Sequence, residues 1–198
     1  YAMLTADENN YKATVNDDGV MIAIYTIKDQ YFPVMGGTVI RQDWMDALGY
    51  KSIDSIDQMD NFLRDCKSTY GAGYPLMLTY SNYENILSAA YGIGGGDCIN
   101  GLYQVDGDVR YTYVQPEYKE YLKLAAAWYQ DGIIGSDFMN VGTTGLPMET
   151  YTYVYSGDTA IIGATAAEIA SIEAETGNGC KLIGFNYPAS DGSGVTHF

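Results

Sequence analysis

The sequence predicts an α/β fold, a mixed sheet with flanking helices, and three observations carry that reading. Strand-like apolar runs alternate along the chain with segments of helical periodicity. Helix starts carry reciprocal capping chemistry: Ser55 with Gln58, Ser81 with Glu84, and Thr165 with Glu168. One helix, within the stretch Gln115 to Met139, is marked at both ends and along its whole length.

Taken in order, residues 1–19 are polar and end in the turn Asn16-Asp17-Asp18-Gly19, after which 20–27 (VMIAIYTI) reads as a buried strand. An extended segment follows from Tyr31 to Ile40, broken by Gly36-Gly37. Asp43 to Leu48 is a short helix stopped by Gly49. Ser55 opens a helix whose apolar stripe is Ile56, Met59, Phe62, Leu63 and Cys66. Residues 75–80 (PLMLTY) read as a strand that runs into the Ser81 helix. That helix turns Tyr83, Ile86, Leu87 and Ala90 inward and stops at Gly92. Leu102–Gln104 and Val109–Val114 flank Asp106-Gly107 as a β-hairpin.

Pro116 suits a first helical turn, because the N–H it lacks has no helical partner there. Glu117 places negative charge at the positive end of the helix dipole. Tyr118, Tyr121, Leu122, Ala125, Trp128 and Tyr129 recur at three- and four-residue steps, and Gly132 closes the helix in the left-handed conformation. Residues 152–157 and 159–164 read as a strand pair around Gly157-Asp158. Thr165 opens a helix that ends before Gly177, and 181–188 is the last strand. The glycine run 92–96 and the tail 191–194 read as mobile loops.

Composition narrows the function. Ten basic against 25 acidic residues leave a net charge of −15, which repels phosphate backbones and anionic lipid and argues against a nucleic-acid partner. There are 20 tyrosines beside five Phe and two Trp. A tyrosine offers a flat apolar face and a hydroxyl, a pairing that suits wet ligands such as sugars, although most such residues simply pack half-buried. Cys66, Cys98 and Cys180 are widely spaced without a CxxC, and the one histidine is His197. This set is too sparse for structural zinc or a cysteine–histidine catalytic pair, and it reads as buried free thiols or one disulfide. No apolar run approaches the ~20 residues of a membrane span. Tyr1 is not an initiator methionine, which reads as an internal segment of a longer chain.

The glycines at 92–96 follow a helix and have no lysine, unlike a phosphate-binding loop. Asp106-Gly107-Asp108 and Asp17-Asp18-Gly19 lack the spaced oxygens and closing glutamate of an EF-hand and read as turns. No GxSxG, HExxH or kinase-type motif is present, so no catalytic residue, metal or cofactor is assigned. A different site is better supported. Ligands of open α/β sheets bind at the carboxyl ends of strands, where helix N-termini offer free N–H groups. Two strand-to-helix junctions fit, Tyr80-Ser81-Asn82-Tyr83-Glu84 and Gly163-Ala164-Thr165. N-capping alone explains the hydroxyls of Ser81 and Thr165, but the junctions are the candidate ligand site. Tyr80 and Tyr83 are its stacking residues, with Tyr31, Tyr91 and Tyr155 behind them.

The stretch 116–138 (PEYKEYLK…WYQDGII…DF) resembles the helix and following turn of bacterial extracellular solute-binding proteins of the carbohydrate-importer type. Residues 17–26 (DDGVMIAIYT) are similar to the family's hinge-approach segment, with threonine where proline is usual and no lysine. Residues 40–67 (IRQDWMDALGYKSIDSIDQMDNFLRDCK) resemble its most specific signature, and 155–164 and 188–194 resemble its later strand and return segment, in the same order. The resemblance implies one lobe of a periplasmic-binding-protein-like clamshell. Residues 1–30 would be the hinge-approach segment left from the first lobe, and 31–198 the second, ligand-binding lobe ending at the return hinge. It further implies a non-catalytic role in an ATP-driven (ABC) importer. The solute would be small and polar, an oligosaccharide ahead of a peptide, and the partner a membrane permease reached through the full-length protein. An extracellular, cell-surface lipoprotein follows, its signal lying outside this chain. The alternatives are a cell-surface adhesion or interaction module, and a carbohydrate-active enzyme fragment with two carboxylates roughly 5–10 Å apart.

Overall fold

The computed structural model describes residues 8–21, 36–78, 89–93, 101–105, 107–141 and 148–190. The chain divides into two compact units, Tyr1–Met35 and Gly36–Phe198. In the first unit, helix α1 (Glu8–Thr14) carries an exposed Glu8–Lys12 ion pair at 2.6 Å. Gly19 then turns the chain with a φ of 74°, and a single antiparallel bridge joins Val15 to Met21. Val20, expected in a buried strand, is exposed. Residues 22–35, including the rest of that expected strand, lie outside the described residues.

Along the second unit run β1 (Gly36–Arg41), α2 (Gln42–Leu48), α3 (Ile56–Tyr70), β2 (Leu102–Val105), β3 (Asp108–Tyr111), α4 (Pro116–Gln130), α5 (Met148–Tyr155), β4 (Ile161–Thr165), α6 (Ala166–Thr176) and β5 (Leu182–Gly184). Strand β1 is central and antiparallel to both neighbours, in the order β4-β1-β5, with Ile40 opposite Ile161 and Ile183. Parallel bridges from Leu76 to Ile161 and to Ile134 extend the sheet and make it mixed. Alternation along the strands splits the core in two. Ile40, Ile161, Leu76 and Leu78 pack with Phe62, Leu63 and Trp128 of α3 and α4. Val39, Ile162, Met77 and Leu182 pack with Tyr151, Val154 and Ile172 of α5 and α6. The sheet is therefore a middle layer between two helical layers.

The helix signals are realised with two adjustments. Ser55 caps α3, its hydroxyl accepting the Gln58 N–H at 3.2 Å, but the Gln58 side chain accepts from the Asp54 N–H at 2.7 Å, one residue before the cap. In α4 the buried stripe is narrower than the periodicity predicts. Tyr121 and Trp128, two turns apart, are buried, whereas Leu122 and Tyr129, each one position on, are exposed. The Trp128 indole N–H donates to Asp60 at 2.6 Å, so this ring is core and ties α4 to α3. Gly132 follows the helix with a φ of 67°.

Five strand expectations are corrected. Residues 152–157 are not a strand: the Thr-Tyr-Thr-Tyr-Val-Tyr alternation mimics a period of two, but Tyr151 and Val154, three apart, are buried on the side of α5 that packs on α6. The partner of β4 is β1 instead. Gly36-Gly37 begin β1 rather than break it. Of 75–80 only Leu76 makes bridges, and residues 79 and 80 lie outside the described residues. The last strand is confined to Leu182–Gly184. The hairpin forms as β2 and β3, but 112–114 leave it as a single 3-10 turn. The Ser81 helix lies outside the described residues up to a 3-10 turn at Ala89–Tyr91, which Gly92 ends with a φ of 64°. Of the glycine run, 94–96 lie outside the described residues, as do 191–194. Cys66 and Cys180 are buried free thiols, and burial pushes both up from the ordinary range. Cys98 lies outside the described residues. No described helix is long and apolar enough to cross a membrane.

Candidate ligand-binding site

Strands β4 and β5 both end at the edge where β1 begins, since both run antiparallel to it. The Leu76 segment, parallel to β4, runs toward the same edge. There the register sets Gly36 opposite Thr165, Gly37 opposite Ala164, Thr38 opposite Gly163, and Val39 opposite Gly184. Gly37, Gly163 and Gly184 are exposed, and a Cβ added at any of them would meet nothing within 4 Å. This edge is bare backbone that a ligand can approach closely.

The chain beyond β5 closes over one side of the edge. The Phe185 N–H donates to the Thr38 carbonyl at 2.9 Å, and Phe185 meets Tyr187 edge-on at 5.4 Å. Tyr187 is buried and its hydroxyl has no well-formed hydrogen bond among the described residues; burial holds the phenol well above its ordinary range while the Thr38 side chain works against that rise. The Ser190 N–H donates to the Ala90 carbonyl at 2.7 Å, which brings the Tyr91 turn alongside.

Thr165 stands at the N-cap of α6. Its N–H and hydroxyl both donate to the Glu168 carboxylate, at 2.8 and 2.6 Å, and the Tyr151 hydroxyl donates there too. These bonds, the Thr165 hydroxyl first and Tyr151 next, hold the Glu168 carboxyl below the usual range. Burial, and then the bond to Glu168, push the Tyr151 phenol up. The hydroxyl at 165 is committed as a donor, but it keeps accepting capacity.

Tyr91 is half-buried and tilts against Tyr121 at 6.1 Å, with its phenol raised by burial and then by Glu120. The structure does not bring Tyr155 to this edge. It ends α5 at the opposite end of the sheet, lining a groove of about 440 Å³ with Arg41, Asp43, Trp44, Tyr70 and Asn178. The charge there is already spent: Arg41 donates to Asp43 at 2.8 and 2.5 Å and lies 4.4 Å over the Trp44 ring, which stacks on Tyr70. Tyr80, Ser81, Asn82, Tyr83, Glu84 and Tyr31 lie outside the described residues.

Sequence reasoning missed Thr38 and the bare glycines 37 and 184. The pair at 36 and 37 looks like a strand breaker, and only cross-strand register shows it facing Thr165 and Ala164, next to Gly163. It also missed a run of tyrosine rings leading from Tyr91 through Tyr121, Tyr118 and Tyr113 to Tyr111, each step 5.2–6.1 Å. The tyrosine excess was the one available sign.

No family model and no curated protein matches the sequence. Solved structures do. The alginate-binding protein AlgQ2 is 21% identical with a TM-score of 0.74, over 94% of this chain and 39% of that one. The ABC-transporter substrate-binding protein FusA of S. pneumoniae, an EF-hand mutant in complex with fructo-nystose, is 19% identical with a TM-score of 0.71, over 94% and 39%. An HMO-binding, ABC-transporter-associated solute-binding protein from Bifidobacterium longum infantis is 17% identical with a TM-score of 0.74, over 94% and 40%. The fold is that of part of an ABC-transporter solute-binding protein. The chain spans about two fifths of the length of these neighbours. Among the described residues no group of three or more His, Cys, Asp or Glu is placed to hold a metal ion.

Proposed function

We propose that this chain is the non-catalytic, ligand-binding lobe of an extracellular solute-binding protein that feeds an ABC importer, and that its solute is an oligosaccharide. The observation that carries the reading is the fold, shared over 94% of the chain with proteins that bind alginate and fructo-nystose. The edge at Gly37, Thr38, Gly163 and Thr165 supports it, since exposed backbone amides and carbonyls beside Tyr91 suit a polar, many-hydroxyl ligand. In the parent protein a second lobe covers this edge, the junction at Tyr80–Glu84 contributes stacking, and a membrane permease receives the solute. The division of the chain after Met35 supports a hinge-approach segment over about 1–30 and a lobe from 31 onward. Anchoring as a cell-surface lipoprotein belongs to the same reading. Calorimetry on the full-length protein with panels of oligosaccharides and peptides tests it. Saturable oligosaccharide binding is expected; binding of peptides alone, or of neither class, overturns it.

A further inference from the structure

The hairpin β2–β3 has a face that the lobe's core does not use. Register sets Leu102 opposite Tyr111 and Gln104 opposite Val109, so these four side chains share one side of the ribbon. All four are exposed: Leu102 by 50%, Val109 by 70% and Tyr111 by 43%, with Gln104 between them. The other side of the ribbon holds the buried Tyr103. Exposed apolar side chains gathered on one face offer a surface for contact.

This face is built to hold its rings still. Gly101 is buried with a φ of +77°, and a Cβ there would fall 2.6 Å from the Tyr113 ring and 3.2 Å from that of Tyr111. Only glycine leaves room for the two rings to close on the backbone here. The buried Thr112 between them donates its N–H to the Gly101 carbonyl at 2.8 Å, and the Gln115 side chain donates to the Tyr111 carbonyl at 2.9 Å. Tyr111 and Tyr113 meet edge-on at 82°, so their exposed planes differ in direction. Rings immobilised in this way lose little entropy when a flat partner stacks on them.

A series of ring contacts links the face to the candidate ligand edge by way of the buried Tyr121. Tyr111 is four ring-to-ring steps from Tyr91, through Tyr113, Tyr118 and Tyr121. Helix α4 starts beside this series and its chain returns through Ile134, parallel to the Leu76 segment, so its first turn lies toward the strand-end edge. We propose that the Leu102–Gln104–Val109–Tyr111 face is an outer saccharide subsite, Tyr111 stacking on a sugar ring remote from those held at the strand edge. Gln104 supplies amide hydrogen bonds to its hydroxyls. The subsite selects for chain length. It rests on the oligosaccharide reading above.

The test is calorimetry of the full-length protein with fructo-oligosaccharides and with human-milk-type oligosaccharides of increasing length, comparing wild type, Tyr111→Ala and Tyr111→Phe. Loss of one stacked ring is expected to weaken binding of the longer chains roughly three- to tenfold. The shortest saccharide that binds should be unaffected, and Tyr111→Phe, which keeps the ring, should restore most of the affinity. Unchanged affinity at every length would overturn the subsite and leave the face to a protein partner. An equal loss at every length would overturn it as well, because it marks a merely structural role. If wild type binds no saccharide of either series, the functional reading falls and the subsite with it.

Discussion

Replacing Glu168 with alanine tests how the candidate ligand edge is held in place. The carboxylate accepts the Thr165 N–H at 2.8 Å, the Thr165 hydroxyl at 2.6 Å and the Tyr151 hydroxyl, so one side chain caps α6 and ties α5 to it. A lost cap costs about 1 kcal/mol. A hydrogen bond to a charged acceptor is worth about 1.5–3 kcal/mol when buried, and less here because Glu168 is partly exposed. The expected destabilisation of Glu168→Ala at neutral pH is therefore about 2 kcal/mol. The native bonds lower the carboxyl below its ordinary 4.5, so this stability is fully present above that value and is lost as pH falls through the folded-state value. Urea unfolding followed by circular dichroism, on wild type and variant across the acid range, reads both effects. The gap should close progressively below pH 4.5. A gap under about 0.5 kcal/mol at neutral pH, or one that persists unchanged in acid, would refute the reasoning.

Two further substitutions probe the frame around the site. Trp128→Phe removes the indole N–H that reaches Asp60 at 2.6 Å and leaves a partly vacated core position. It should destabilise by about 2 kcal/mol in the same unfolding assay, and a loss under about 0.5 kcal/mol would mean that the bond carries little. Gly101→Ala introduces a Cβ at φ +77° only 2.6 Å from the Tyr113 ring. It should cost about 1–3 kcal/mol and alter the near-ultraviolet tyrosine dichroism; a spectrum and stability like wild type would show that the ring closure is not as described.

Legibility followed how local each cause is. The caps at Ser55 and Thr165, the glycine stop at 49, and Pro116 in the first turn of α4 depend on neighbours within four residues, and all of them form. The misreading at 152–157 arose because alternating Thr and Tyr satisfies a strand pattern, while burial of Tyr151 and Val154 against α6 decides for helix. Tertiary burial overrode propensity there. The candidate site was half legible. Thr165 sits at the strand-end edge because a strand-to-helix junction announces itself locally, whereas Tyr91 is brought alongside by the Ser190–Ala90 hydrogen bond. Thr38, Gly37 and Gly184 come together only through pairing across more than a hundred residues. The tyrosine series is assembled by contacts between a hairpin, a helix and a turn, and no spacing rule reports those.

The most direct test of the central claim is a map of where saccharide touches this lobe, from amide shifts of the isotope-labelled chain during titration with fructo-oligosaccharides and milk-type oligosaccharides. Saturable shifts are predicted at Gly37, Thr38, Gly163, Thr165 and Tyr91, with Arg41, Trp44 and Tyr155 at the opposite end unmoved. Shifts centred on the Arg41–Trp44–Tyr155 groove, or none from either saccharide, would contradict the account.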